Sequence, residues 1–194
     1  MIPYQQEKLE NAVCFFAQEH HKKTRHYLCQ TFLYKYLALF DFGYLKTYGQ
    51  PALGLTYRAM QRGPVPLELY EHRREPDISR LFAFREDIER RIITVVPRRA
   101  PDLDFFSKRE IDLMQRLVEI YGRSYISAGI MSDASHEVIL AWRRTWEREE
   151  NAIIDFSLEF PGDILAKTEH ELTFPEEVYL VQKGLDTCNL PSAT

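Results

Sequence analysis

The stretch from Thr24 to Gly49, TRHYLCQTFLYKYLALFDFGYLKTYG, decides how this chain folds. Leu28, Phe32, Leu33, Tyr36, Leu37, Phe40 and Tyr44 recur at the helical period. Other apolar residues fill the gaps, so the helix is apolar on more than one face. A helix of that kind belongs in the centre of a fold, with the other elements packed around it. Thr24 is a candidate cap for its start. Gly49 predicts its stop, with Pro51 as a further barrier.

Upstream, Leu9, Ala12, Val13 and Phe16 predict a first helix over Tyr4 to Ala17, broken by His20-His21-Lys22-Lys23. Downstream, Leu53 to Met60 reads as extended. Arg62-Gly63-Pro64-Val65-Pro66 reads as a turn, because the residue before a proline avoids the α region and each proline fixes φ. A short helix from Leu67 to about Arg74 should follow and end at Pro76. Leu81–Phe84 and the β-branched run Arg91–Val96 predict a hairpin. Ser107-Lys108-Arg109-Glu110 has the form of a capping box, opening a helix that closes at Gly122. Two further helices are predicted, over Ser127–Ala134 and over His136 to about Glu149. Ile154 to Phe160 alternates apolar and polar residues and predicts a strand. Phe174 to Val181 is a second candidate strand, with fraying beyond Gly184.

The fold class is therefore mostly α with a small β element (α+β). The reading divides the chain into a helical domain over residues 1–150 and an acidic, strand-containing extension over 151–194, packed on it. The chain has 194 residues, of which 45% are hydrophobic and 13% aromatic, enough for a sizeable core. Three cysteines at scattered spacings, Cys14, Cys29 and Cys188, form no CxxC, which argues for a reducing cytoplasm and against a disulfide or zinc framework. The opening residues resemble no signal peptide, and no apolar run is long enough to cross a membrane. Net charge is +5 over residues 1–100 and −9 over 101–194, −4 in all. The basic excess is too small for a nucleic-acid footprint.

Several segments together resemble the Panacea domain, also called SocA-like. They are Leu37-Ala38-Leu39-Phe40-Asp41-Phe42, Gly49, Gly54-Leu55-Thr56-Tyr57-Arg58-Ala59-Met60 and Arg62-Gly63-Pro64-Val65-Pro66 followed by Leu69-Tyr70. The likeness continues through Pro101-Asp102-Leu103-Asp104, Phe106 to Glu110, Tyr121-Gly122 and Ser135-His136-Glu137 with Trp142. It runs from about Leu28 to Trp146. Two details differ: Glu137 is followed by Val138 where the family often has a second Glu, and Ala128-Gly129-Ile130-Met131 is less Leu-rich than the family's helix. The resemblance implies a mostly helical fold with a few strands. It also implies an antitoxin of a bacterial or phage toxin–antitoxin pair. Its partner would be a cognate toxin, neutralised by direct binding or, in one branch, delivered to a cytoplasmic protease. It leaves the oligomeric state open, a dimer included.

The candidate partner-binding residues are Arg62, Gly63, Pro64 and Val65, with Asp41, Tyr57 and Arg58. The proline turn either offers a rigid loop to a partner or sets the entry angle of the next helix. Asp41, inside an apolar stretch, needs Arg58, Arg62 or backbone donors, or else contacts a partner. His136, Glu137 and Trp142 read as structural: His136 capping the start of a helix or bonding a loop, Glu137 at that helix's positive end, Trp142 in the core or as an anchor. The sharper reading of His136-Glu137 is an acid–base pair of an enzyme acting on a small molecule or nucleic acid, for which no third group is identifiable. His136–Leu140 is HEVIL, not HExxH, so no zincin motif is present. His20, His21 and His26 lack the Cys or carboxylate that would complete a tetrahedral set. The Arg90-Arg91, Arg98-Arg99 and Arg143-Arg144 pairs suit solvent or the acidic tail, with an acidic toxin surface or RNA as the alternative. No Walker loop, GxGxxG or GxSxG occurs. The residues therefore name no catalytic group, no metal and no cofactor.

Overall fold

The computed structural model describes residues 2–75, 78–89 and 91–188. Among them are seven α-helices and two separate two-stranded antiparallel sheets. The helices are α1 (Gln5–Thr24), α2 (Gln30–Tyr48), α3 (Leu67–Tyr70), α4 (Lys108–Tyr121), α5 (Ala128–Val138), α6 (Leu140–Arg148) and α7 (Phe174–Cys188). The strands are β1 (Tyr57–Met60) with β2 (Gly63–Pro66), and β3 (Phe82–Asp87) with β4 (Ile92–Pro97).

α2 is the central helix. Every residue from Phe32 to Phe42 is buried, and α1, α4, α5, α7 and β2 all pack on it. Phe16 of α1 stacks on Tyr36 with ring centroids 4.7 Å apart, and Phe40 meets Phe16 edge-on. Gly49 ends the helix at φ 76, its N–H donating to Leu45 O. α1 runs seven residues past its expected end at Ala17, through the expected break. His20 turns inward against Phe32 and Tyr36 while Lys22 and Lys23 stay exposed, so the basic stretch continues an amphipathic helix. Thr24 therefore ends α1, donating to His20 O, and α2 starts behind Cys29.

The capping box at Ser107 and Glu110 is present. Glu110 also pairs with Lys8, tying α4 to α1 in the interior. The hairpin β3–β4 forms as expected, and Val95 N–H donates to Leu28 O, so the α1–α2 connection lies along β4. The helix after Pro66 is a single turn. Pro76, its expected end, lies outside the described residues.

Three further expectations are corrected. The two helices after Ser127 join at Ile139, not between Ala134 and His136, because Ile139 is fully buried and leaves the helical region at ψ 97. The Glu159 carboxylate then accepts the Ala141 N–H and starts α6 from 18 residues away. The alternating stretch Ile154–Phe160 is not a strand. Asp155 accepts the Ser157 N–H and turns Phe156–Glu159 into a 3-10 helix, leaving one bridge between Ile153 and Arg58. Phe174 to Val181 is helical, as part of α7, which runs beyond Gly184 to Cys188. Residues 189–194 lie outside the described part.

Candidate functional site

β1 and β2 pair in the register Tyr57 with Pro66, Arg58 with Val65, Ala59 with Pro64 and Met60 with Gly63. Gln61 and Arg62 form the tip and are exposed. The main chain of Tyr57 and Ala59 bonds away from β2, to Ile154, Ala152 and Asn151. Pro64 and Pro66 thus face positions whose hydrogen bonds are spent elsewhere, and neither proline removes a rung. The segment read as a turn is a strand, and only Gln61-Arg62 turns. Gly63 lies at φ 99, in the region open to glycine.

Asp41 holds the base of this hairpin. It is completely buried, and Oδ1 accepts from the N–H groups of Leu53 and Gly54. Oδ2 accepts from Leu55 N–H and from the Tyr57 hydroxyl, at 3.2 and 3.0 Å. Three backbone donors and the Tyr57 hydroxyl, not Arg58 or Arg62, satisfy the carboxylate. Burial nonetheless pushes its pKa up to about 6, against the pull of those bonds. The same burial, with the Asp41 charge, holds the Tyr57 hydroxyl far above its usual range.

Under β2 lies a polar cluster. Lys35 of α2 is 1% exposed and donates to Pro64 O across 3.2 Å. A Cβ on Gly63 would stand 2.7 Å from Lys35 Nζ, 2.9 Å from Ser135 Oγ and 3.1 Å from His136 Nε2. The three side chains therefore converge on one point beneath the glycine. Ser135 donates to Ser132 O. His136 Nε2 is buried and has no hydrogen-bond partner among the described residues. Burial lowers the Lys35 pKa to about 7. Burial first, and then the nearby lysine, lowers that of His136. The His136 ring lies flat on Trp142, with centroids 3.8 Å apart and planes within 7°. Trp142 stacks in turn near Trp146 and donates from Nε1 to Met60 O.

Gly63, Pro64, Val65, Asp41 and Tyr57 are thus buried, and Arg58 is half-buried; of the seven candidates, Arg62 is the one that faces solvent. His136 and Glu137 end α5 instead of opening α6, so Glu137 stands at the negative end of its helix. Arg143 compensates by donating to the carbonyls of His136 and Glu137. Arg144 donates to Leu158 O and Phe160 O, and Arg98 to Ser79 O, so these arginines tie loops down. By sequence Lys35 has no assigned role, and Ser135 enters as part of the Ser135-His136-Glu137 resemblance without one. The available signal for Lys35 was its place, with Asp41, as one of two charged residues inside an otherwise unbroken buried run.

Among the described residues no three His, Cys, Asp or Glu side chains are grouped to hold a metal, and no helix is long and apolar enough to cross a membrane. Chemically, the cluster supports an exposed tip: its amine is buried beneath β2, and the half-buried imidazole turns its buried Nε2 to the same point. A family model described as Antitoxin SocA-like, Panacea domain matches residues 33–143, from the first turn of α2 into α6. No curated protein and no solved structure matches the chain.

Proposed function

The chain belongs to the Antitoxin SocA-like, Panacea domain family, and from that premise we propose that it neutralises a cognate protein toxin by binding it directly. The family match carries the reading, because it covers the whole hairpin with Lys35, Asp41, Ser135, His136 and Trp142 around it. An antitoxin family points to a binding role, not a catalytic one. In this reading the encounter takes place in the cytoplasm of a bacterial cell or of one infected by phage.

The tip Gln61-Arg62 is the proposed contact. Gly63, Pro64 and Val65 fix its strand, Asp41 and Tyr57 anchor its base, and Arg58 joins it to the segment after α6. A tip built this way is already ordered, so little entropy is lost on binding. Arginine is among the residues that most often dominate interface energetics. Covering the toxin's active region is enough for neutralisation, and an interface of roughly 1,600 Å² would hold the pair.

The test is co-expression with the product of the adjacent reading frame. That product alone should arrest growth, and this chain should restore it. A harmless neighbour, or one that stays lethal, ends the reading. Rescue that persists without cytoplasmic proteases identifies occlusion; rescue lost there identifies delivery to a protease.

A further inference from the structure

Helix α7 lies outside the family match and is firmly seated. Pro175 and Val178 pack on Gly49 so closely that a Cβ there would stand 2.2 Å from Pro175 O. Tyr179 packs on Phe160 at 5.3 Å and bonds to Asp155. Glu176 caps the start by accepting from Thr173 N–H and takes Lys167 as its ion-pair partner, with its side chain 1% exposed. With its inner face so engaged, α7 turns apolar side chains to solvent. Phe174 is 68% exposed, Val181 63% and Leu185 59%. Their spacing of seven and four residues puts them in one stripe, about three turns long.

The charge around the stripe is one-sided. Residues 151–188 carry 8 acidic and 2 basic side chains. Both lysines are matched within the segment, Lys167 by Glu176 and Lys183 by Asp155. Asp163, Glu169, Glu171 and Glu177 are exposed, three of them at or just before the start of α7. A second copy of this helix would set acid against acid, which is costly at an interface. A ridge of three turns is also an anchor within a wider interface, too small to hold a dimer alone.

We propose that the Phe174–Val181–Leu185 ridge docks a basic, amphipathic helix of the toxin: apolar side chains meet the stripe and lysines or arginines meet Glu169, Glu171 and Glu177. Because α7 is pre-seated, the toxin segment alone must order. This rests on the antitoxin reading and gives it a second contact, outside the matched domain, where partner choice can vary without disturbing the hairpin.

The experiment uses the full chain and the toxin product of the adjacent reading frame, with affinity measured by calorimetry and growth rescue scored alongside. The triple variant Phe174→Gln/Val181→Gln/Leu185→Gln alters exposed positions with a good helix former, so its melting curve should match the wild type. Its affinity should fall by roughly 30-fold or more, as for loss of an apolar anchor. Glu169→Lys/Glu177→Lys should slow association about tenfold at low salt and converge with the wild type near 0.5 M salt. A triple variant that binds as well as the wild type overturns the ridge and leaves the antitoxin reading standing. A wild type that neither binds nor rescues overturns both. A wild type that dimerises alone through the ridge, with the triple variant monomeric, assigns the stripe to self-association and overturns the proposal.

Discussion

The Lys35 ammonium reaches the Pro64 carbonyl oxygen at 3.2 Å and has no ion-pair partner among the described residues. A lysine on the central helix thus holds the strand that carries the exposed tip. Burial brings its pKa down to about 7, against an ordinary value of 10.5.

The sign of the resulting pH dependence follows from that depression. Between pH 7 and 10.5 the unfolded chain holds the Lys35 proton and the folded chain does not, so stability rises with pH across the window. Lys35→Met removes the titration. The variant should be the more stable of the two at pH 7, and the gap should narrow by about 1.4 kcal/mol per unit toward pH 9. Urea unfolding of both proteins at pH 7, 8 and 9 measures this; parallel curves would contradict it. Using the difference between the proteins removes the Cys14 thiol and the buried tyrosines, which titrate in the opposite sense.

Gly63 makes the second prediction. Alanine there must hold φ 99 and place a methyl among Lys35 Nζ, Ser135 Oγ and His136 Nε2. Strain and steric conflict together should cost about 3 kcal/mol or more. Gly129→Ala is the control. Its Cβ would meet only Ser127 Oγ at 3.5 Å, in the first turn of α5, so it should be neutral or gain up to about 0.5 kcal/mol. Equal effects of the two substitutions would show that the cluster under Gly63 is not closed.

Removing Asp41 strands the donors it serves. Asp41→Ala leaves the N–H groups of Leu53, Gly54 and Leu55 and the Tyr57 hydroxyl without their acceptor, at a cost of about 3–5 kcal/mol. Asp41→Asn keeps one oxygen but turns two donors toward others, so it should recover less than half of that. The carboxyl's folded pKa of about 6 lies above its ordinary 3.8, so folding takes up a proton between those values. Its contribution is complete below pH 3.8 and lost as pH rises through 6. The difference in unfolding free energy between wild type and Asp41→Asn should therefore shrink from pH 4 to pH 6.

How far the residues announced these features depends on where each partner sits in the chain. α2 could be read because apolar residues on every face leave a helix no surface position. The box at Ser107 and Glu110 could be read because both halves lie within four residues. The start of α6 could not, since its cap, Glu159, comes 18 residues later. The Ile154–Phe160 stretch misled for a related reason: alternation is a tendency, and the Asp155–Ser157 turn outweighed it. For Asp41 the need for partners was clear, and backbone donors were among the expected choices, but only the loop geometry settles which donors serve. Arg62 reads the same from either side. Lys35 carried the same signal as Asp41, a charge inside a helix with no surface position, but its partner, the Pro64 carbonyl, lies 29 residues later.

Gly49 joins the matched domain to the helix beyond it, and its substitution separates the two. At φ 76 it ends α2, and a Cβ would fall 2.2 Å from Pro175 O and 2.7 Å from Val178 Cβ. A Cβ of any kind must push α7 away. Asparagine tolerates positive φ better than alanine, so it would rescue a purely conformational defect. The contact predicts that Gly49→Ala and Gly49→Asn fail alike. Both should speed hydrogen exchange in Phe174–Leu185 at least tenfold, while amides in α2 between Phe32 and Phe42 keep most of their protection, because those residues are buried by other elements as well. A wild-type exchange pattern in α7 for either variant would mean that the helix is seated by Tyr179 and Glu176 alone. Loss of toxin binding in step with the faster exchange would tie the seating of α7 to its docking role.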